Sequence, residues 1–143
     1  MTLDVMANSL VYWTQEMVGR DLFARGGRVF ALTSAGGARV WKTYGAVSAA
    51  KSALESHTRQ LALELAPLEI SVNAIRAGVT DTPALRKIPG YEEMIKITKG
   101  KNPRGRLTVP EDVAAAIVLL SHSKAHWITG NVIGVDGGEF IVD

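Results

Sequence analysis

The chain has 143 residues, 47% hydrophobic and 21% charged, the balance expected of one soluble globular domain large enough to bury a substantial core. A net charge of +2, with no aromatic interleaving and no groove-reading motif, argues against nucleic acid, and no apolar run is long enough for a membrane span. The absence of cysteine excludes disulfides and thiolate metal sites and fits a reducing cytoplasm.

The opening stretch, MTLDVMANSLVYWTQE, has no basic leader and is interrupted by Asp4, Asn8 and Gln15, so it does not read as a signal peptide. Leu3, Met6, Leu10, Trp13 and Met17 recur at three- and four-residue steps, which predicts an amphipathic helix over residues 3–24, ended by Gly26 and Gly27. Arg28 to Thr33 is a short apolar run bounded by turn signals, as a buried parallel strand should be. A loop with the Gly36-Gly37 pair follows. Residues 44–66 are rich in Ala, Leu, Glu and Lys, with no Gly or Pro between Gly45 and the closing Pro67, so they form a long helix. Ala46, Ala49, Ala50 and Ala53 suit it to close packing against a strand or a partner helix.

Glu69 to Ile75 alternates and is β-branched, and reads as a second strand running into the loop AGVTDTP. In open parallel sheets that edge is where ligands bind. Residues 84–107 are irregular and basic, with a short helix expected around Tyr91 to Thr98, a pattern that fits a substrate lid. Between Arg86 and Arg106 seven basic residues face only Glu92 and Glu93, which reads either as a solvated loop or as an electrostatic contact with an acidic carrier or a phosphate. Thr108 is placed to cap a helix that begins at Pro110, carries Glu111 and Asp112 in its first turn, and runs to Ser121. Asn131 to Val135 is a third strand, and Asp136-Gly137-Gly138 turns into a hydrophobic tail. His122 and His126 lack a third ligand, so a helix-end role is favoured over a metal site.

This alternation predicts an α/β fold: a partial Rossmann-like, doubly wound parallel sheet of about three strands with flanking helices, in one domain. A complete dinucleotide-binding domain begins with a strand and a Gly-rich turn, and no GxGxxG spacing is present here. The first strand would therefore form an apolar edge needing a partner.

The chemistry concentrates between Ser34 and Lys51. Tyr44 and Lys51 are seven residues apart, two helical turns, which sets their side chains within roughly 20° of one face and about 10 Å apart along the axis. An ammonium beside a phenol favours phenolate and makes the phenol a better proton donor to a developing oxyanion. Taken alone such a pair is common, and Ser34 and Asn8 have ordinary readings as a strand-ending turn residue and a helix-surface polar residue.

Together with Ser34, Asn8, the run from Val72 to Thr82 (VNAIRAGVTDT) and the run from Thr129 to Gly138 (TGNVIGVDGG), the pair resembles the short-chain dehydrogenase/reductases. Most members space Tyr and Lys four apart. Here Val47 holds that position, and the Tyr-x6-Lys spacing is similar to that of the enoyl-acyl-carrier-protein reductase branch. The resemblance covers essentially all of this chain but only about the C-terminal half of the family's fold. It implies catalytic roles for Tyr44, Lys51, Ser34 and Asn8, with Asn8 holding a water in a proton relay toward Lys51. It also implies contacts from Lys51, Gly78, Thr80 and Thr82 to NADPH or NADH. The implied substrate is an acyl thioester, delivered by acyl carrier protein, and the implied assembly is a homo-oligomer packed through helices 3–24 and 44–66. Two departures are visible: enoyl reductases often carry a second tyrosine where Ser34 stands, and Ala77 replaces the family's common proline. A 3-oxoacyl or other carbonyl reductase, and a non-catalytic assembly subunit, are the alternative readings.

Overall fold

The computed structural model describes residues 1–142. A π-helical turn, Asp4–Asn8, runs directly into helix α1, Ser9–Gly19. Strand β1 is Arg28–Ser34, helix α2 Gly45–Glu64, strand β2 Ser71–Ala77, helix α3 Tyr91–Lys101, helix α4 Pro110–Ser121 and strand β3 Val132–Val135. The strands form one parallel sheet in the order β1-β2-β3, and Ser34 lies opposite Ala77 at the C-terminal end. Three parallel strands with flanking helices make this a Rossmann-like fragment.

Helix α2 is the packing centre. Ala50 and Leu54 meet Ala31 of β1, Ala74 of β2 and Ala7 of the π-helical turn, while Leu61, Ala62 and Leu65 enclose Ile70 and Val72. Alanines at these contacts let the helix lie close on the sheet, and close packing is what turns apolar area into dispersion energy.

Two boundaries differ from the sequence reading for the same reason. The first helix ends at Gly19 rather than near residue 24, because Asp21 adopts a left-handed φ of 54°. Leu22 N–H then bonds Met17 C=O at 2.9 Å and Asp21 N–H bonds Val18 C=O at 3.0 Å, the paired bonds of a Schellman end. Glu69, with φ 57°, likewise ends the turn Ala66–Leu68, so β2 begins at Ser71. Thr108 does not cap α4. Val109 is the N-cap residue, and its N–H is bonded at 3.0 Å by the Asp112 carboxylate, which also takes a bidentate pair from Arg106. Those bonds, the Arg106 ones foremost, hold the Asp112 carboxyl well below the usual carboxylate range.

The free edge of β1 is apolar. Ala31 and Thr33 are buried, but Leu32 between them is 53% exposed. Beside it an open groove of about 430 Å³ is lined by Met6, Leu10, Trp13, Phe30 and Leu32. An unpaired parallel strand bordered by apolar surface is a template for association. The chain is therefore expected to self-associate as its concentration rises in sedimentation velocity, and Leu32→Lys to shift it toward monomer at a stability cost within about 0.5 kcal/mol. A wild-type chain that stays a monodisperse monomer near millimolar concentration would contradict this.

Candidate active site

At the end of β1 the backbone leaves the sheet through the turn Ala35–Gly37 and returns at Tyr44, the N-cap residue of α2. The Tyr44 ring lies over Gly36: a methyl at that glycine would sit 2.6 Å from Tyr44 Cε1 and 3.3 Å from Ser34 Oγ. The structure thus brings Tyr44 and Ser34 together across a glycine that admits no side chain. Ser34 Oγ is buried and, among the described residues, has no hydrogen-bond partner. Such a hydroxyl is costly to leave unsatisfied, and it marks a position where a ligand's polar atom fits.

Tyr44 is set in place by a strained residue. Its N–H closes a turn onto Trp41 C=O at 3.1 Å, and Thr43 within that turn has φ 69°. A β-branched residue is unfavourable there. Thr43→Gly is accordingly expected to raise stability by about 0.5–1 kcal/mol after the entropy cost of glycine, read as a higher denaturation midpoint. A lower midpoint would show that Thr43 is not strained.

Lys51 reaches the same strand end. Its Nζ donates to Leu32 C=O at 2.7 Å, two residues before Ser34. Burial pushes the ammonium below the usual lysine range, and the Glu55 carboxylate one turn on opposes that shift. Glu55 accepts the Thr33 hydroxyl at 2.8 Å, so the carboxylate is held by the strand that presents Ser34. Asn8 is engaged elsewhere: its Oδ1 meets His57 Nε2 at 3.1 Å and its Nδ2 donates to Asp4 Oδ1 at 2.9 Å. It occupies the last position of the π-helical turn, a local distortion frequent at functional sites.

The loop after β2 leaves the same end of the sheet one strand over, after Ala77, the residue opposite Ser34. Gly78 N–H bonds Val135 C=O at 3.2 Å, Thr80 Oγ1 donates to Gly78 C=O at 3.1 Å, and Thr82 Oγ1 accepts Leu85 N–H at 3.1 Å. Gly78 is closed in by the protein itself, since a Cβ there would strike Thr108 Oγ1 and lie 2.8 Å from Glu139 Oε2. Its lack of a side chain is thus required by internal packing. The roles of Glu55, His57, Thr108 and Glu139 were absent from the sequence reading. Only Glu55 carried a signal, its helical i,i+4 spacing from Lys51. His122, expected at a helix end, is there: Nδ1 accepts Lys124 N–H at 3.2 Å just after α4.

These groups fit one end of a nicotinamide cofactor. An unpartnered hydroxyl, a phenol and an ammonium with donors to spare stand at the C-terminal edge of the sheet, where ligands of open parallel sheets bind. Nothing in the chain supplies the glycine-rich turn that grips a pyrophosphate.

The family model described as enoyl-(acyl carrier protein) reductase matches residues 1–139. The NADH-dependent enoyl-[acyl-carrier-protein] reductase FabI of Aquifex aeolicus is 34% identical over 142 residues, 99% of this chain and 52% of the relative. The crystal structure of the Aquifex aeolicus enzyme superposes with a TM-score of 0.91 at 35% identity, covering 97% of this chain and 54% of that one. The Bacillus cereus enoyl-acyl carrier protein reductase, solved with NADP+ and indole naphthyridinone, gives a TM-score of 0.90 at 32% identity, over 96% and 53%. The 3-oxoacyl-[acyl-carrier-protein] reductase FabG of Thermotoga maritima is 37% identical over 91 residues, 64% of this chain and 36% of the relative. The chain thus spans about half the length of the FabI relatives it matches. By its fold, its Tyr-x6-Lys spacing and these matches, it belongs to the short-chain dehydrogenase/reductase family, in the enoyl-acyl-carrier-protein reductase branch.

Proposed function

We propose that this chain carries the substrate-side half of an NADH- or NADPH-dependent reductase of α,β-unsaturated acyl thioesters, serving fatty-acid synthesis in the cytoplasm. The observation that carries the reading is the buried, unpartnered Ser34 hydroxyl against the Tyr44 ring, with Lys51 held at the same strand end. Bound nicotinamide supplies the hydride that reduces the substrate's β-carbon. Tyr44 faces the thioester oxygen, stabilises the enolate charge that develops there and protonates it to the enol, which tautomerises to the saturated thioester as Cα takes a proton from water and the enol oxygen releases one. Ser34 completes the set of donors around that oxygen. Lys51 holds the nicotinamide ribose and adds positive potential. Asn8, oriented by His57, orders a water on the path that returns a proton toward Lys51. Thr80 and Thr82, with the backbone at Gly78, line the carboxamide side.

In this reading residues 84–107, which include α3, are the lid, and their basic surface receives acyl carrier protein. The exposed apolar side chains Val5, Tyr12, Trp13 and Leu63 on the π-helical turn, α1 and α2 serve homo-oligomer contacts. Among the described residues no helix is long and apolar enough to cross a membrane. The half of the relatives that this chain does not span would supply the pyrophosphate grip.

Ser34, standing where enoyl reductases often have a tyrosine, favours one second reading, a 3-oxoacyl or other carbonyl reductase. NADH and NADPH titrations of the purified chain, followed by crotonyl- and acetoacetyl-thioester assays with the complementary half of a relative added, separate the readings. Enoyl reduction supports the first and ketone reduction the second. Absence of saturable binding below millimolar cofactor would reduce the chain to a non-catalytic assembly subunit.

A further inference from the structure

The residues after β3 do more than finish the sheet. The turn Glu139–Ile141 and Val142 lie against both loops of the site. On one side, Glu139 Oε2 accepts Val79 N–H at 2.9 Å, while Val79 C=O takes Thr108 N–H at 3.2 Å. The backbone just after Gly78 is thereby held by a donor and an acceptor from two distant parts of the chain. On the other side, Arg39, in the loop between Ser34 and Tyr44, donates to Phe140 C=O and, at 3.3 Å, to Val142 C=O. The Arg39 guanidinium carbon is 4.6 Å from the centre of the Phe140 ring, and that of Arg76, from β2, is 3.6 Å from it. One four-residue segment thus touches the loop that leads to Tyr44, the strand end that precedes Gly78, and the peptide that follows it.

We propose that Glu139–Val142 is a strap that sets the separation of the two loops walling the reductive site, with Glu139 the positioning residue for the Gly78–Thr82 loop. Its functional meaning rests on the nicotinamide reading of that loop; the coupling itself does not.

Three features support a dedicated contact over an incidental one. Gly78 packs so closely against Thr108, Glu139 and Asp136 that a methyl there would lie 2.8 Å from Glu139 Oε2 and 3.0 Å from Asp136 Cβ. Phe140, stacked by two guanidiniums, gains cation–π attraction that an unpaired tail residue would lack. Burial, with Asp136 adding to it, pushes the Glu139 carboxyl above the usual carboxylate range, offset by the Val79 N–H and by Arg39. A carboxylate retained where burial disfavours it is held by its partners. In the window between its unfolded and its raised folded pKa the folded chain binds more protons, so stability falls as pH rises through that window. Glu139→Gln removes that charge cost, keeps an acceptor for Val79, and is expected to fold as well as wild type.

The test is amide hydrogen exchange of the 143-residue chain, followed at Val79, at Arg39 and Tyr44 in the other loop, and at Val72 and Ala74 in the core. Glu139→Ala should speed exchange at Val79 by about tenfold, and at Arg39 and Tyr44 by a smaller factor, with Val72 and Ala74 unchanged. Glu139→Gln should stay near wild type at all five. Phe140→Ala, which leaves the carboxylate in place, should speed exchange at Arg39 and Tyr44 and carry through to Val79. Exchange that rises at Val79 alone in Glu139→Ala would overturn the coupling, as would Glu139→Gln behaving like Glu139→Ala. An equal rise at Val72 and Ala74 would also overturn it, by showing a general loss of stability. NADH titration of the same proteins reads the nicotinamide assignment separately: absent binding with coupled exchange intact sinks that reading and leaves the strap.

Discussion

Tyr44→Phe is expected to lower crotonyl-thioester reduction by about 10²–10³-fold while leaving nicotinamide-cofactor affinity within a few-fold, because only a donor aimed at developing charge is lost. The ring contact with Gly36 and Ser34 does not involve the phenol oxygen, so the variant keeps the geometry of the loop. Lys51→Ala is expected to damage both turnover and cofactor affinity, since the proposed mechanism gives Nζ the nicotinamide ribose and Nζ also ties α2 to Leu32 C=O. The pH dependence has a definite sign. Lys51 sheds its proton below the usual lysine range, so activity should fall on the alkaline side earlier than an ordinary lysine would dictate. Glu55→Gln, by removing the charge that opposes the shift, should move that limb to still lower pH. These rates require the pyrophosphate-binding half to be present, in trans or fused, and the comparison is made within that context. Intact crotonyl reduction by Tyr44→Phe would remove the phenol from the mechanism.

The features legible in the sequence were those written in short-range pattern. The apolar run at 28–33, the alanine-rich periodicity of 44–66 and the proline with acidic first turn at 110–112 each carry their structure within one element. What escaped was decided elsewhere. Asp21 and Glu69 end helical turns in a left-handed conformation usually left to glycine, so Gly26 and Gly27 lie well past the first helix's true end. Thr108 has the composition of a cap but is drawn inward against Gly78, leaving Val109 and Asp112 to start α4. Asn8 finds His57 across 49 residues, and Glu139 finds Val79 across 60, pairings with no local signature. Spacing alone related Tyr44 to Lys51 and said nothing of Ser34; the strand that ends at Ser34 and the helix that follows it set where the three lie. The tail could be read only as hydrophobic, since its partners lie in loops whose approach depends on the finished sheet.

Asn73→Ala is expected to be strongly destabilising, costing about 2–4 kcal/mol through polar groups left without partners. Asn73 is 2% exposed in the central strand. Its Nδ2 donates to Ile128 C=O at 2.8 Å, and its Oδ1 accepts Asn131 N–H at 3.1 Å and Asn131 Nδ2 at 3.3 Å. The same stretch is stitched to β2 by Gly130 N–H to Val72 C=O at 2.8 Å and by Val72 N–H to Thr129 Oγ1 at 3.0 Å. Asn73 therefore fixes where the chain enters β3, and with it the position of Asp136 to Val142. Total stability of a domain this size is about 5–15 kcal/mol, so the loss is a large fraction of what holds the fold. Asn73→Asp separates the polar from the packing contribution: it keeps the shape and an acceptor but buries a charge, so it should be damaging at neutral pH. Burial raises the pKa of such an aspartate, and its protonated form restores a donor, so its stability should recover as pH falls. Urea denaturation at two pH values measures both effects. A cost for Asn73→Ala below about 1 kcal/mol, or an Asn73→Asp variant indifferent to pH, would mean that the segment from Ile128 to Asn131 is held by its backbone bonds alone.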